Sequence, residues 1–402
     1  MLEGMVLAFR VRNLEINSRE QALYEIALTG ADPAGVKYMA PKAVHRVLKV
    51  YDLKPRQANI LKQEMLSKGG EVAVTRGAVD NSVAQTDVLL MGTLRQYRDL
   101  IKKLRSQPFG LAQLGDRLSE VLDNLEGRQV RTLNCQGKEM IIGNRTLIMG
   151  ILNVTPDSFS DGGLWFDPGR AVEQARQMVA EGADIIDLGG ESTRPGHTPV
   201  GAEEELRRVM PVLEVLVREI DVPISVDTFK SDVASRALAA GASMINDQWA
   251  LRADPGMAAV VASYGVPVIL MHNQQGTIYR DLMGDMVQYF EESIATASSA
   301  GVPGEQIIID PGIGFGKTLA QNLEVMRRLR ELGSLGHPVI LGTSRKSMIG
   351  KTLDLPVDQR IEGTAAAVSL GIVYGADIVR VHDVKEMARV ARMTDAMLGR
   401  MG

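Results

Sequence analysis

The sequence predicts an α/β protein in which a (β/α)8 TIM barrel is preceded by a smaller α/β domain, and three observations lead there. From Arg145 onward, short runs rich in Ile, Val and Leu recur eight times, separated by amphipathic stretches. The runs show little apolar–polar alternation, as expected of parallel strands buried on both faces. Eight such units over about 250 residues match the size of a closed barrel. A doubly wound open sheet is the alternative, but eight regular units without a dinucleotide-binding GxGxxG favour closure. A length of 402 residues sets the domain count at two. The division falls into 1–127, an accessory α/β domain, and 128–402, the catalytic barrel.

Taken in order, the N-terminal region offers strands at 5–13 (MVLAFRVRN), 70–78 (GEVAVTRGA) and 86–93 (TDVLLMGT). Helices are expected at 19–28, 55–68, 93–106 and 111–125, and Gly127 follows the last. Residues 131–146 read as a hairpin turning at Gln136–Gly137, placed to plug the bottom of the barrel. The barrel strands are then 146–154, 183–190, 222–228, 243–249, 267–273, 307–312, 337–344 and 376–383. Helical stretches such as PGRAVEQARQMVAEG and ADPGMAAVVASYG lie between them and end on the glycine that a helix C-terminus favours.

Composition excludes several classes. With 45% apolar and 23% charged residues there is ample surface to bury, so the chain is not largely disordered. No run approaches the roughly eighteen apolar residues of a transmembrane helix, and the start, broken by Arg10 and Arg12, is no secretory signal. The lone Cys135 permits no internal disulfide and fits a reducing, cytoplasmic setting. Net charge is +5 over 1–140 and −9 over the remainder. The basic excess is too diffuse for a nucleic-acid footprint and reads as solvated surface.

Barrel enzymes place their chemistry at the C-terminal strand ends. Those positions hold Asn153, Glu191, Asp227, Asn246 with Asp247, His272 with Asn273, Asp310, Lys346, and Arg380 with His382. Each alone has a structural explanation as a cap or ion pair. Converging on one rim, they form a binding site. Asp227, Asn246 and Asp310 suit a flat heterocycle rich in N–H groups, whereas Lys346, Arg380 and His382 suit phosphate oxygens. DPGIGFGKT (310–318) fails the Walker pattern because Pro311 stands where its first glycine belongs. Ser347 is placed to cap a helix whose N–H groups suit a carboxylate. The histidines form no HxH or HxxxH pair, which argues against a protein-held transition metal but leaves room for magnesium carried on a diphosphate.

GILNVTPDSFSDGG (150–163), GGESTRPG (189–196), SVDTFK (225–230), IND (245–247), DPGIGFGK (310–317), SRKS (344–347) and RVHDV (380–384) together resemble the dihydropteroate synthase family. The resemblance runs from about Arg131 to the C-terminus, and the ordered set is far more specific than any one motif. It implies a barrel, dimeric as a rule, that joins 6-hydroxymethyl-7,8-dihydropterin diphosphate to 4-aminobenzoate, releases diphosphate and requires Mg2+. By motif, Asp227, Asn246, Asp310 and Lys346 match pterin-binding positions, with Met271 beside the ring. Asn153, Arg380 and His382 match those holding the diphosphate and its magnesium. Thr193, Arg194, Pro195, Phe315 and Ser347 match the aminobenzoate pocket, and TPDSFSDGG resembles a mobile loop that closes over the site. HNQQGTIY (272–279) departs from the family, which more often has Met-His-Met followed by Gly and Pro. The first 127 residues lie outside the family core.

The implied chemistry is SN1-like. Departure of diphosphate leaves a cation on the dihydropterin, which Asp227 and Asp310 would stabilise, while Arg380, His382 and magnesium neutralise the leaving group. A pterin-dependent methyltransferase would share the pterin pocket but has no diphosphate to hold. A non-catalytic pterin-binding protein would be expected to lose some of these residues, and all are present.

Overall fold

The computed structural model describes residues 9–127, 129–155, 168–191 and 200–400 and divides into two compact units, Met1–Arg128 and Gln129–Gly402. The first unit runs α1 (Arg19–Ala27), α2 (Pro33–Ala43), β1 (His45–Leu53), α3 (Pro55–Ser67), β2 (Glu71–Val74), β3 (Thr86–Thr93), α4 (Leu94–Leu104) and α5 (Leu111–Asn124). Its sheet is antiparallel in the order β1-β3-β2. Leu48, Val72, Val88 and Leu90 on the sheet cluster with Leu61, Met65, Tyr97, Leu100 and Leu104 on the helices. The helix starts follow capping chemistry. The Ser18 side chain accepts from the backbone of Gln21, Asp32 from Ala34 and Gly35 ahead of Pro33, and Thr93 forms a capping box with Gln96.

Two expectations for this unit are corrected. Of the strand expected at 5–13, residues 5–8 lie outside the described residues and Phe9–Asn13 is not a strand: Phe9 and Val11 are 86% and 94% exposed, so the run buries no face against a sheet. In its place the sheet takes β1, which the sequence pattern concealed. α2 was likewise unexpected.

The second unit opens with the hairpin of β4 (Arg131–Cys135) and β5 (Lys138–Ile142), whose turn residues Gln136 and Gly137 both have positive φ, 53° and 84°. The barrel follows in regular alternation: β6 (Leu147–Asn153), α6 (Pro168–Ala180), β7 (Ile185–Gly189), α7 (Ala202–Glu219), β8 (Ile224–Asp227), α8 (Ser231–Ala239), β9 (Met244–Asp247), α9 (Met257–Tyr264). It continues with β10 (Val268–Met271), α10 (Leu282–Ser299), β11 (Ile307–Asp310), α11 (Leu319–Arg328), β12 (Ile340–Leu341), α12 (Ser347–Leu353), α13 (Ile361–Val373), β13 (Ile378–Val381) and α14 (Val384–Met397). Eight parallel strands form one sheet in the order β11-β10-β9-β8-β7-β6-β13-β12, and a parallel bridge between Ile309 and Val339 links its two ends. The (β/α)8 barrel expected from the sequence is the fold observed. No helix of the described residues is long and apolar enough to cross a membrane.

The hairpin closes the N-terminal end of this barrel. Leu133, Cys135, Met140 and Ile142 cluster with residues near the strand starts, among them Leu147, Ile185, Met244, Ile269, Ile308, Ile340 and Ile378. Lys138 Nζ donates to the carbonyls of Ile220 and Val222, and Gln306 Nε2 to that of Asn134, which fastens the plug to the loops around it. With this end packed shut, polar chemistry is left to the opposite rim. Leu133 is fully buried in the plug. Leu133→Ala is expected to cost about 2–5 kcal/mol of barrel stability, read as a lowered denaturation midpoint; an unchanged midpoint would mean that the plug contributes little.

Candidate active site

The C-terminal ends of the barrel strands meet in an open cleft lined by Asp227, Asn246, Gln248, Met271, Asp310, Gly312, Ile313, Phe315, Gly342 and Arg380. Six of the residues expected from the sequence (Asp227, Asn246, Met271, Asp310, Phe315 and Arg380) therefore share one wall. Their positions follow from strand ends: Asp227, Met271 and Asp310 are the last residues of β8, β10 and β11, and Asn246 lies in β9.

The centre of the site is an ion-pair cluster. Arg380 on β13 donates from Nε to Asp187 Oδ2 at 2.6 Å and from Nη2 to Asp227 Oδ2 at 2.8 Å. Asp187, on β7, is fully buried and also accepts from Asn246 Nδ2 at 3.1 Å. The other Asp227 oxygen accepts from Gln248 Nε2. Burial pushes the Asp227 carboxyl up to about 7, with Asp187 adding to the rise and Arg380 and Gln248 opposing it. Burial also raises Asp310, against the Gly312 N–H that it accepts at 2.7 Å and the charges of Lys346, Arg380 and Lys317.

Several expectations change. Arg380, expected at the anionic end of the ligand, lines the cleft with its guanidinium held by Asp187 and Asp227. His382 was expected to contribute positive charge. Burial and the neighbouring Arg380 and Arg345 push it down to about 3, so it is neutral. Ser344 Oγ accepts from the His382 backbone N–H at 3.1 Å and lies 3.0 Å from Nδ1. That pair of contacts fixes the ring's orientation. Ser347 caps nothing: Lys346 is the N-cap of α12, and Ser347 is its exposed first residue, outside the cleft lining. Thr193, Arg194 and Pro195 lie outside the described residues, as do 156–163 of the loop expected to close over the site.

Lys346 reaches the cleft through Phe315, with Nζ 4.2 Å from the ring centroid. Its backbone is held by neighbours. Arg345, at φ 57°, makes a two-toothed ion pair with Asp383, and Arg360 Nη1 donates to the Arg345 carbonyl. Asn153, at the end of β6, stands beside the cleft: a Cβ on Gly189 would lie 3.4 Å from its Oδ1 and 3.6 Å from Asp227 Cβ. Among the described residues no group of three His, Cys, Asp or Glu is placed to hold a metal ion.

Other rim residues serve structure. Glu191 and Glu205 both pair with Lys230, and Asp247 accepts from the backbone N–H groups of Trp249 and Leu251. Sequence reasoning missed Asp187 and Gln248. The signal for Asp187 was present, since it is the one charge in the apolar run IIDLG. Gln248 gave none.

A model of the family described as pterin binding enzyme matches residues 149–382. The dihydropteroate synthase of Clostridium beijerinckii is 54% identical over 264 residues, which span 65% of this chain and 98% of that protein. A probable bifunctional folylpolyglutamate synthase/dihydropteroate synthase of Halobacterium salinarum is 42% identical over 389 residues, 95% of this chain and 46% of that one. Among solved structures, the Xanthomonas albilineans dihydropteroate synthase with 4-aminobenzoic acid superposes with a TM-score of 0.65 at 44% identity, covering 67% of this chain and 99% of that chain.

Proposed function

The chain belongs to the pterin binding enzymes, among them to the dihydropteroate synthases, transferases of folate biosynthesis, and on that premise we propose the reaction it runs: condensation of 6-hydroxymethyl-7,8-dihydropterin diphosphate with 4-aminobenzoate to give 7,8-dihydropteroate and diphosphate. The observation that carries this reading is the convergence of the Asp227 and Asp310 carboxylates and the Asn246 amide on one cleft. These are acceptors and an amide suited to the N–H-rich edge of a pterin, with Met271 at the same wall.

The residues divide the work as follows. Asp227, Asn246, Asp310 and Lys346 hold the pterin. Loss of diphosphate is SN1-like, so positive charge grows on the ring, where the two carboxylates are already in place to stabilise it. Arg380 contributes by bridging Asp187 and Asp227 and by opposing the rise of the Asp227 carboxyl, a role on the pterin side of the site. Neutral His382 offers a ring N–H to a diphosphate oxygen. Phe315, with Thr193, Arg194, Pro195 and Ser347, forms the aminobenzoate end. The amine attacks a preformed cation, so no strong general base is needed.

Asn153 offers a single neutral oxygen beside the cleft. That donor set fits Mg2+ held mainly by diphosphate oxygens, which needs only one or two protein ligands. When bound, the ion neutralises charge on the departing diphosphate. The chemistry belongs to the barrel of 128–402, with 1–127 as an accessory unit; support comes from the Clostridium beijerinckii relative, which the barrel region alone nearly spans. Leu370 on α13 and Met393 and Met397 on α14 are exposed large apolar residues that support a homodimer. The lone cysteine, buried at the plug, suits a cytoplasmic setting.

Two measurements test this reading. Purified full-length chain and residues 129–402 should both release diphosphate only when the pterin diphosphate, 4-aminobenzoate and Mg2+ are all present, and both should sediment as dimers. Release without the amine would sink the condensation; a folded but inactive fragment would make the N-terminal unit part of the catalyst. The second concerns pH. An acceptor carboxylate must be ionised, so pterin affinity should be full above pH 7 and fall as pH drops through the raised Asp227 value, by up to about tenfold per unit. Affinity for a non-titrating pterin that stays flat from pH 8 to 5 would contradict that role.

A further inference from the structure

Behind the cleft lies an amine that the proposed chemistry does not use. Lys317 is 9% exposed, and its Nζ donates to the carbonyls of Gly312 at 3.2 Å and Phe315 at 3.1 Å and lies 2.9 Å from His272 Nδ1. Burial and the charge of Lys346 draw the amine down to about 7, while Asp310 opposes them. His272 is itself pushed down to about 3 by burial and by Lys317, so it meets the amine as a neutral ring. A methionine would fill the same space without desolvating a charge. The reason for a lysine therefore lies in its hydrogen bonds.

Those bonds cross one turn. At Gly312, with φ 64°, a Cβ would fall 2.0 Å from the His272 carbonyl oxygen, and at Gly316, with φ 55°, it would fall 2.7 Å from that of Gln274. The turn thus runs backbone against backbone along the segment after β10. Asn322 Oδ1 accepts from the Gly314 N–H at 2.7 Å, and Tyr279 Oη donates to the Gly316 carbonyl at 2.7 Å. Phe315 rides on this turn and lines the cleft. Lys317 binds the carbonyl of Phe315 itself.

We propose that Lys317 is a positioning residue: its amine locks the Gly312–Phe315 turn against His272 and so fixes the Phe315 ring as the wall on which the aromatic amine substrate lies. This rests on the reading of the cleft given above. It makes Lys317 a determinant of affinity for the amine rather than for the pterin.

The test is steady-state diphosphate release by the full chain with each substrate varied in turn. Lys317→Met should raise the KM for 4-aminobenzoate about tenfold or more, as loss of its hydrogen bonds to the turn implies, and leave the KM for the pterin diphosphate within about twofold. Because Lys317 acts through Phe315, the double variant Lys317→Met/Phe315→Ala should be no worse for the amine than Phe315→Ala alone. Should Lys317→Met fail to fold, Lys317→Leu, which also removes the N–H donors, carries the same comparison. Equal rises in both KM values, no rise, or additive losses in the double variant would overturn the assignment. Absence of amine-dependent release by the unmodified chain would instead overturn the reading of the cleft, and the assignment with it.

Discussion

One buried guanidinium organises the catalytic end of the barrel. Arg380 lies between Asp187 and Asp227, so three strands, β7, β8 and β13, are tied together by a single side chain at the depth where the cleft begins. Two buried carboxyl groups this close need a positive charge between them. Arginine suits the place because its charge is permanent and its planar fork reaches two acceptors at once. The effect extends further: Asp187 in turn accepts from Asn246, so the amide and the carboxylate proposed to meet the pterin are oriented by the same cluster.

The remainder of the fold holds that cluster in register. The hairpin of β4 and β5 packs the far end of the barrel with apolar side chains, which leaves the rim as the place for polar groups. Around the rim, hydrogen bonds hold the chemistry-bearing segments at both sides: Arg345 on Asp383 and Arg360 on the Arg345 carbonyl fix the approach to Lys346, while Ser344 fixes the His382 ring. Lys317 and Asn322 do the same for the turn that carries Phe315. The side chains proposed to meet the pterin come mostly from strands. Those proposed to meet the amine come from turns.

The barrel was legible in the sequence because a strand buried on both faces is written as an unbroken apolar run, and eight such runs leave few other architectures. The strand ends were legible for the same reason, since a polar residue closing an apolar run marks the rim. The pattern fails where burial is one-sided. In β1 the register shifts between Val50 and Leu53, with Asp52 at φ 54°, so the alternation of HRVLKVYDL loses phase and reads as irregular. α2 begins on Pro33 and contains Pro41, residues that argue against a helix unless one of them stands at its first position. At the site, residue types were readable but their partners were not. Arginine two residues before a histidine suggests a phosphate clamp; that Arg380 faces two carboxylates depends on Asp187 and Asp227, 193 and 153 residues away in the chain.

The central claim is that Arg380 belongs to the pterin end of the site. Binding of a free pterin and of its diphosphate ester to Arg380→Lys, measured by calorimetry on folded protein, tests it directly. Lysine keeps the positive charge but loses the planar fork and the reach that hold both acceptors in fixed geometry, so the account predicts comparable losses, about tenfold or more, for the two ligands. Pterin affinity that is unchanged while the ester alone is lost would contradict it and return Arg380 to the diphosphate.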